Sequence, residues 1–126
     1  MATSTKSKGK SAKKSSKSSK TEFSKETYMQ WYESILLMRK FEEKAGQLYG
    51  QQKIRGFCHL YIGQEACAAG AFTALEKDDK WITAYRDHAH PLVLGSHPNA
   101  IMAELFAKET GISKGKGGSM HMFDKE

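Results

Sequence analysis

The sequence predicts an α/β architecture, a parallel sheet with flanking helices, of which we expect these 126 residues to form only the N-terminal part. Three patterns lead to that prediction. Apolar residues recur at helical spacing between residues 24 and 50, a run rich in alanine and glycine follows at 64–76, and a short aromatic and β-branched segment, WITAY, occupies 81–85. Helices and a single strand do not complete a layered domain, so further elements are needed to close the fold.

The first 20 residues differ in composition from the rest of the chain. They contain seven Lys and seven Ser and no acidic residue, so they offer too little apolar surface to offset the entropy of ordering. We predict a disordered tail over 1–22 and a folded part over 23–126. Such a tail fits either a solvated, solubilising arm or an arm that contacts an acidic partner.

The net charge of +6 comes from that tail. The whole chain has 20 basic and 14 acidic side chains, and subtracting the seven tail lysines (20 − 7) leaves 13 against 14. A nucleic-acid-binding module, the alternative from a different functional class, would need a basic folded face. The near-neutral folded part does not provide one.

The sequence contains no segment that predicts membrane insertion or export. No run of about 18 apolar residues is present, and the N-terminus lacks both a secretory apolar stretch and the arginines of a mitochondrial presequence. These observations favour a bacterial cytoplasmic protein. Cys58 and Cys67 form no C-x-x-C pair, and we expect both to be reduced, small core residues.

The longest predicted helix begins at Ser24, whose hydroxyl can cap the first free N–H groups, and ends near Gly50. Glu26 is favourably placed in its first turn. Its apolar stripe consists of Tyr28, Trp31, Ile35, Met38, Ala45, Leu48 and Tyr49. This periodicity predicts an amphipathic helix that serves as core or interface scaffolding.

The remaining elements are shorter. After an extended stretch and a break at Gly63, the small residues of 64–76 predict a buried helix that packs closely on its neighbours. WITAY predicts a buried strand at 81–85, and a further helix is expected from Pro98 to Gly111. The last segment, SKGKGGSMHMFDKE, is a basic, glycine-rich loop.

Polar residues that follow the predicted strand are candidates for a site, because ligands bind at the carboxyl ends of strands in open α/β sheets. Arg86 could bind an anion there, or it could form a buried ion pair with Asp87. His59, which precedes the small-residue helix, could act on a ligand or could be a hydrogen-bonded core histidine.

Two further patterns allow alternatives. His88 and His90 would share one face of an extended backbone and could hold a metal with Asp87 or His97, but no third ligand stands at a characteristic spacing. The G-K-G-G-S string could surround an anion with backbone N–H groups, or it could be a flexible surface turn.

Four strings give a family resemblance: RGFCHL, GQEA, ITAYR and KGKGGSMHM. In this order and spacing, over about residues 28–126, the chain resembles the alpha subunits of the decarboxylating first component of pyruvate dehydrogenase complexes. These belong to the thiamine-diphosphate-dependent 2-oxo acid dehydrogenases. The resemblance implies the thiamine-diphosphate-binding fold and oxidative decarboxylation of pyruvate, with transfer of the acetyl group to a lipoyl carrier. Acetoin or a branched-chain 2-oxo acid is the alternative substrate.

The resemblance also implies roles for individual residues. Tyr85 and Arg86 would contact the diphosphate of the cofactor and lie near substrate. His59 would lie near substrate and act in catalysis, and His121 would approach the same cleft as a second catalytic residue. It assigns no role to His88 or His90.

The cofactors and partners implied by the resemblance are thiamine diphosphate, Mg²⁺, a beta subunit in an α2β2 assembly and the lipoyl domain of the acyltransferase component. One part of the family pattern is missing. The magnesium-binding signature, a GDG string followed by an Asn, does not occur in these residues. We therefore expect no metal ligand in this chain, which we interpret as truncated, and no activity from the chain alone.

Overall fold

The computed structural model describes residues 22–76 and 78–124. Four helices order this part of the chain: α1 at Lys25–Gly50, α2 at Glu65–Thr73, α3 at Ala89–Val93 and α4 at Pro98–Leu105. Helix α1 contacts α2 and α3, α2 also contacts α3, and α3 contacts α4. The predicted tail at 1–22 lies outside the described residues, except for its last position.

The prediction for α1 is confirmed at both ends. The Ser24 hydroxyl accepts the N–H of Thr27 at 3.2 Å and caps the helix. At the other end, Gln52 takes a left-handed conformation with φ +60°, and the N–H of Lys53 donates to the carbonyl of Leu48 at 3.0 Å. This 6→1 hydrogen bond belongs to a Schellman motif, which satisfies carbonyl groups that the helix itself cannot.

The centre of the predicted stripe on α1 forms the core, whereas its ends do not. Met38, Ala45 and Leu48 are buried, but Tyr28 and Tyr49 are exposed. Phe41 and Glu42, which the prediction left out, are buried beside them. The core is completed from the other segments by Ile54, Tyr61, Ala68, Ala69, Ala89, Leu92, Ile101 and Leu105.

The predicted strand at 81–85 is wrong for the part of the chain that the structure describes, which contains helices and irregular segments only. Ile82 is 95% exposed and Tyr85 is 62% exposed, so the segment is not buried either. The N–H of Arg86 donates to the carbonyl of Ala84 at 2.9 Å, which closes a three-residue turn around Tyr85. A strand also needs a neighbouring strand to receive its backbone hydrogen bonds, and residues 22–76 and 78–124 supply none.

Two predicted helices are shorter than expected. Helix α2 ends at Thr73, and only one side of it is buried, because Ala66, Gly70 and Ala71 are exposed. Helix α4 ends at Leu105 rather than Gly111, because Ala107 takes the left-handed conformation at φ +53° that usually falls to glycine. The N–H of Lys108 then donates to the carbonyl of Ala103 at 2.9 Å.

Helix α3 and the cysteines also differ from the predictions. Helix α3 was not predicted; it ends where Gly95, at φ +102°, turns the chain. Both cysteines are free, as expected, but Cys67 is exposed and Cys58 is half-buried, so neither is a fully buried core residue. Burial raises the pKa of the Cys58 thiol. No helix in the described part of the chain is long and apolar enough to cross a membrane.

Candidate functional site

Three irregular segments meet beside α1, and they carry the predicted site residues. They are 57–61, 82–88 and 113–121, and each lies between or beyond helices. The hydroxyl oxygen of Ser119 accepts the N–H of His59 at 3.2 Å and lies 2.7 Å from Nε2 of His88. Nε of Arg86 donates to the carbonyl oxygen of Leu60 at 3.0 Å. These hydrogen bonds join all three segments into one cluster.

His59 stands between two aromatic rings in this cluster. The centroid of its ring lies 5.4 Å from that of the Tyr85 ring, in an edge-to-face arrangement. It lies 6.4 Å from that of the Phe57 ring, and these two rings are nearly parallel. The residue is only half-buried, and its imidazole makes no hydrogen bond to any residue that the structure describes. His59 is therefore not the hydrogen-bonded core histidine considered above, and both ring nitrogens can receive or donate a hydrogen bond.

Tyr85 occupies an unusual backbone conformation. Its φ of +69° lies in the left-handed region, which is sparsely populated by bulky side chains. Together with the hydrogen bond from Arg86 to Ala84, this geometry is a γ-turn with positive φ, which is rare and strained. Strained backbone clusters at functional sites. The aromatic ring of Tyr85 is exposed and lies beside that of His59.

Arg86 does not pair with the acid next to it. Its ion pair with Asp87, one of the two alternatives, is absent from the described residues, and one oxygen of the Asp87 carboxyl is buried without a hydrogen bond. Because Arg86 uses Nε for the Leu60 carbonyl, its two terminal nitrogens have no partner within 22–76 and 78–124. Those nitrogens form the fork that binds carboxylates and phosphates in a bidentate manner.

The pKa of the Asp87 carboxyl is raised because the group is buried, while the nearby His90, His88 and His121 act in the opposite direction. His121 lies two positions after Ser119, at the end of the third segment. It is itself exposed and lines an open cleft of about 450 Å³ with Lys114, Lys116 and Phe123. Within the described residues, no hydrogen bond, ion pair or ring contact joins the His121 side chain to His59, Tyr85 or Arg86.

The glycine-rich loop surrounds an anion, but the anion is internal. Glu104 is fully buried in the last turn of α4. One of its carboxylate oxygens accepts the N–H groups of Ser113 and Gly115 at 2.9 and 2.8 Å. The other accepts those of Gly117 and Gly118 at 2.7 and 3.1 Å. The loop is therefore ordered around Glu104 and is not a flexible turn.

The metal alternative at His88 and His90 is not supported by the described residues, which contain no group of three His, Cys, Asp or Glu side chains able to hold an ion. His88 and His90 open the short helix α3 rather than an extended segment. His90 packs between the rings of Tyr61 and Trp81. His97 caps α4, where its Nδ1 accepts the N–H of Asn99 at 3.2 Å.

Sequence reasoning missed four residues of this region. His88 was considered only as a metal ligand, but it is fully buried between the Glu42 carboxylate and the Ser119 hydroxyl. Glu104 was not singled out at all. The one available signal was Glu42, an acidic residue four positions after Met38 and three before Ala45, which places a charge within the buried face of α1.

Comparison with known proteins identifies the family. The family model described as "Dehydrogenase E1 component" matches residues 33–126, which include every residue of the cluster. The chain belongs to this family. This result supports a thiamine-diphosphate-dependent fold for the complete family domain, although the described part of this chain is helical.

The curated relatives bear consistent names. The chain is 59% identical over 105 residues to "Pyruvate dehydrogenase E1 component subunit alpha" of Rhizobium meliloti, a match that covers 83% of this chain and 30% of that protein. It is 56% identical over 100 residues to the protein of the same name from Rickettsia felis, covering 79% and 31%. The mitochondrial protein of Dictyostelium discoideum is 51% identical over 108 residues, covering 86% and 29%. The chain thus spans about 30% of the length of these relatives.

Proposed function

We propose that this chain forms the N-terminal part of the alpha subunit of a pyruvate dehydrogenase E1 component. In that assembly, pyruvate is oxidatively decarboxylated with thiamine diphosphate and Mg²⁺, and the acetyl group passes to a lipoyl domain of the acyltransferase component. We further propose a beta subunit as partner in an α2β2 assembly and a bacterial cytoplasmic location. Support comes from the family match and from the names of the relatives in two bacteria.

The observation that carries the proposal is the guanidinium of Arg86. Its position is fixed through Nε by the Leu60 carbonyl, while its terminal nitrogens have no partner among the described residues. A guanidinium fork stays charged at any working pH and matches a phosphate group in two places. The residues present therefore fit the diphosphate of the cofactor. We propose no Mg²⁺ ligand among these residues, because the GDG string and the later Asn of the family pattern do not occur in them.

The chain's own residues would bind and orient the reactants. Arg86 would hold the diphosphate, and the exposed ring of Tyr85 would cover it from the adjoining turn. His59, with both imidazole nitrogens free, would donate a hydrogen bond to the carboxylate or carbonyl of a 2-oxo acid. The chemistry supplied by the cofactor when bound is carbanion stabilisation. His121, on the neighbouring loop, is proposed as a second residue at the cleft.

The test is substitution of Arg86 in the complete alpha and beta assembly. Arg86→Lys keeps the charge but removes the fork, so cofactor affinity should fall while the fold survives. Arg86→Ala should weaken binding more, by about 2–5 kcal/mol if the contact is desolvated. The measurements are the dissociation constant for thiamine diphosphate at saturating magnesium and the melting temperature without cofactor.

The matched control is Arg55→Ala, because Arg55 is also exposed and makes no ion pair with the described residues. This change should leave cofactor affinity unaltered. If the Arg86→Ala enzyme melts early and yet binds thiamine diphosphate normally, Arg86 is structural and the assignment is wrong. Turnover of pyruvate against acetoin and branched-chain 2-oxo acids tests the substrate.

A further inference from the structure

We propose that Glu42, His88 and Ser119 form a buried hydrogen-bond relay that positions His59 for its part in the chemistry. We call these three residues the relay. Ser119 is its positioning residue, because it touches the backbone of His59. The effect on turnover rests on the proposed function, whereas the relay itself rests on contacts within the described residues.

The contacts of the relay are short and shielded from water. Glu42 and His88 are fully buried, and Ser119 is 6% exposed. Nδ1 of His88 lies 3.1 and 3.0 Å from the two carboxylate oxygens of Glu42, and Nε2 lies 2.7 Å from the Ser119 hydroxyl. The ring of Phe41 packs edge-on against the His88 imidazole, with 6.3 Å between the ring centroids. Both nitrogens of His88 are therefore engaged.

The two ends of the relay have fixed hydrogen-bond roles. The backbone N–H of His59 can only donate, so the Ser119 oxygen accepts at this contact. At the other end, the carboxyl oxygens of Glu42 accept from Nδ1 of His88. Between these ends, one hydrogen bond joins the Ser119 hydroxyl to Nε2 of His88. The relay thus runs unbroken from the His59 amide to Glu42.

The relay connects the segments that carry the candidate site. Glu42 lies inside α1, His88 stands two residues after Arg86, and Ser119 stands two residues before His121. These hydrogen bonds span 31 to 60 positions in sequence and fix the three segments relative to one another. A shift of any of them would move His59 relative to the ring of Tyr85.

Burying polar groups in this way brings little net stability, because apolar residues of similar volume would often pack as well. A fully satisfied network instead fixes one arrangement of the groups that it joins. The order serine, histidine, acid also occurs in hydrolases. Here the Ser119 hydroxyl is buried, receives the His59 N–H and does not line the cleft beside His121, so the geometry favours positioning over nucleophilic attack.

The first measurement needs no variant. Nitrogen-15 spectra of the histidine side chains in the whole chain should show a proton on Nδ1 of His88, the nitrogen that faces Glu42. The amide proton of His59 should exchange slowly with solvent, although the residue is only half-buried. An Nδ1 of His88 that carries no proton, or fast exchange of that amide, would overturn the relay.

The second measurement uses Ser119→Ala, which removes the hydroxyl and little volume. Exchange of the His59 amide should become about tenfold faster, which corresponds to one net hydrogen bond. Ser119→Thr, which restores a hydroxyl, should recover most of the protection. The control is Ser113→Ala in the same loop, because the Ser113 hydroxyl bonds to His121 and Phe123 rather than to His59. Equal exchange rates in Ser119→Ala and the parent chain would refute the proposal.

The last measurement separates the relay from the proposed function. In the complete assembly, Ser119→Ala should lower kcat for the 2-oxo acid by about tenfold and leave the dissociation constant for thiamine diphosphate unchanged, because Arg86 is held by Leu60 instead. Unchanged kcat beside faster His59 exchange would overturn the role in positioning for catalysis. If the parent assembly binds no cofactor while its His59 amide still responds to Ser119→Ala, the proposed function fails and the relay stands.

Discussion

Replacing Glu104 by Gln tests how the glycine-rich loop is held. The carboxylate accepts four backbone N–H groups, two at each oxygen, at 2.7–3.1 Å. Gln has nearly the same volume, so the change creates no cavity. Its amide keeps one oxygen, but its NH₂ group faces two N–H donors instead of accepting from them. Two buried donors therefore lose their partners.

The size of the effect follows from these contacts. A buried donor left without a partner costs about 1–3 kcal/mol, so two of them cost about 2–6 kcal/mol. Removing a negative charge from the last turn of α4 raises the free energy of unfolding by only about 0.3–1 kcal/mol, because a negative charge at this end opposes the helix dipole. We expect a net loss of about 3 kcal/mol in the free energy of unfolding. That is a large part of the 5–15 kcal/mol, roughly, that stabilises a whole domain.

Urea unfolding of the parent chain and the variant measures this loss. With a slope of about 2 kcal/mol per molar urea, the midpoint should fall by about 1.5 M. Glu109→Gln is the matched control, because Glu109 lies in the same connection, is exposed and makes no hydrogen bond to the described residues. Its effect should stay within about 0.5 kcal/mol. A Glu104→Gln variant as stable as this control would refute the role of the carboxylate.

The same reasoning gives a dependence on pH. Burial alone would raise the pKa of Glu104, but the backbone N–H groups of Gly115, Gly117, Ser113 and Gly118 outweigh it, so the pKa is lowered in the folded chain. A lowered pKa means stability that is fully present above the unfolded value of about 4.3 and is lost as the pH falls through the folded value. The difference between parent and variant should therefore narrow below about pH 4. A difference that stays constant down to pH 2 would contradict this assignment.

Two further substitutions probe packing and charge. Gly117→Ala should destabilise the chain by more than about 2 kcal/mol, because a Cβ there would overlap the backbone of His121. The control Gly70→Ala lies in α2 with open space around it and should stabilise the chain by about 0.5–1 kcal/mol. Similar melting temperatures for the two variants would disprove the close approach at Gly117. Arg39→Met removes the donor that lies 2.6 Å from one oxygen of the buried Glu65 carboxylate. This change should lower the free energy of unfolding at pH 7 by about 1–3 kcal/mol, measured by urea unfolding. Lys40→Met, which breaks an exposed pair on the same helix, should cost under about 1 kcal/mol, and equal costs would show that burial does not matter here.

Local signals predicted the elements whose ends depend on neighbouring residues. The cap at Ser24 and the spacing of Met38, Ala45 and Leu48 gave the position and the buried face of α1, because both depend on residues three or four positions apart. The same logic failed at the end of α4. Glycine is the usual residue in the left-handed position, so the sequence predicts an end at Gly111, whereas Ala107 adopts that conformation.

The strand at 81–85 shows the limit of composition. Aromatic and β-branched residues fit a pleated, half-buried surface, but a strand forms only beside another strand. None is supplied by the described residues, and Tyr85 turns the chain with φ +69°. The sequence strings nevertheless singled out His59, Tyr85 and Arg86, which the structure places in one cluster. Their roles in binding and catalysis remain predictions.

By itself, the sequence determined the family, the long helix and the residue types available for chemistry, because strings, caps and periodicity are properties of neighbouring positions. Only the tertiary structure decided which polar groups meet. Glu42 and His88 are 46 positions apart, and Glu104 reaches backbone donors up to 14 positions ahead. A buried carboxylate must find its donors wherever packing brings them. Which donors these are depends on the arrangement of all the segments around the core, and that arrangement is not encoded in the spacing of any single one.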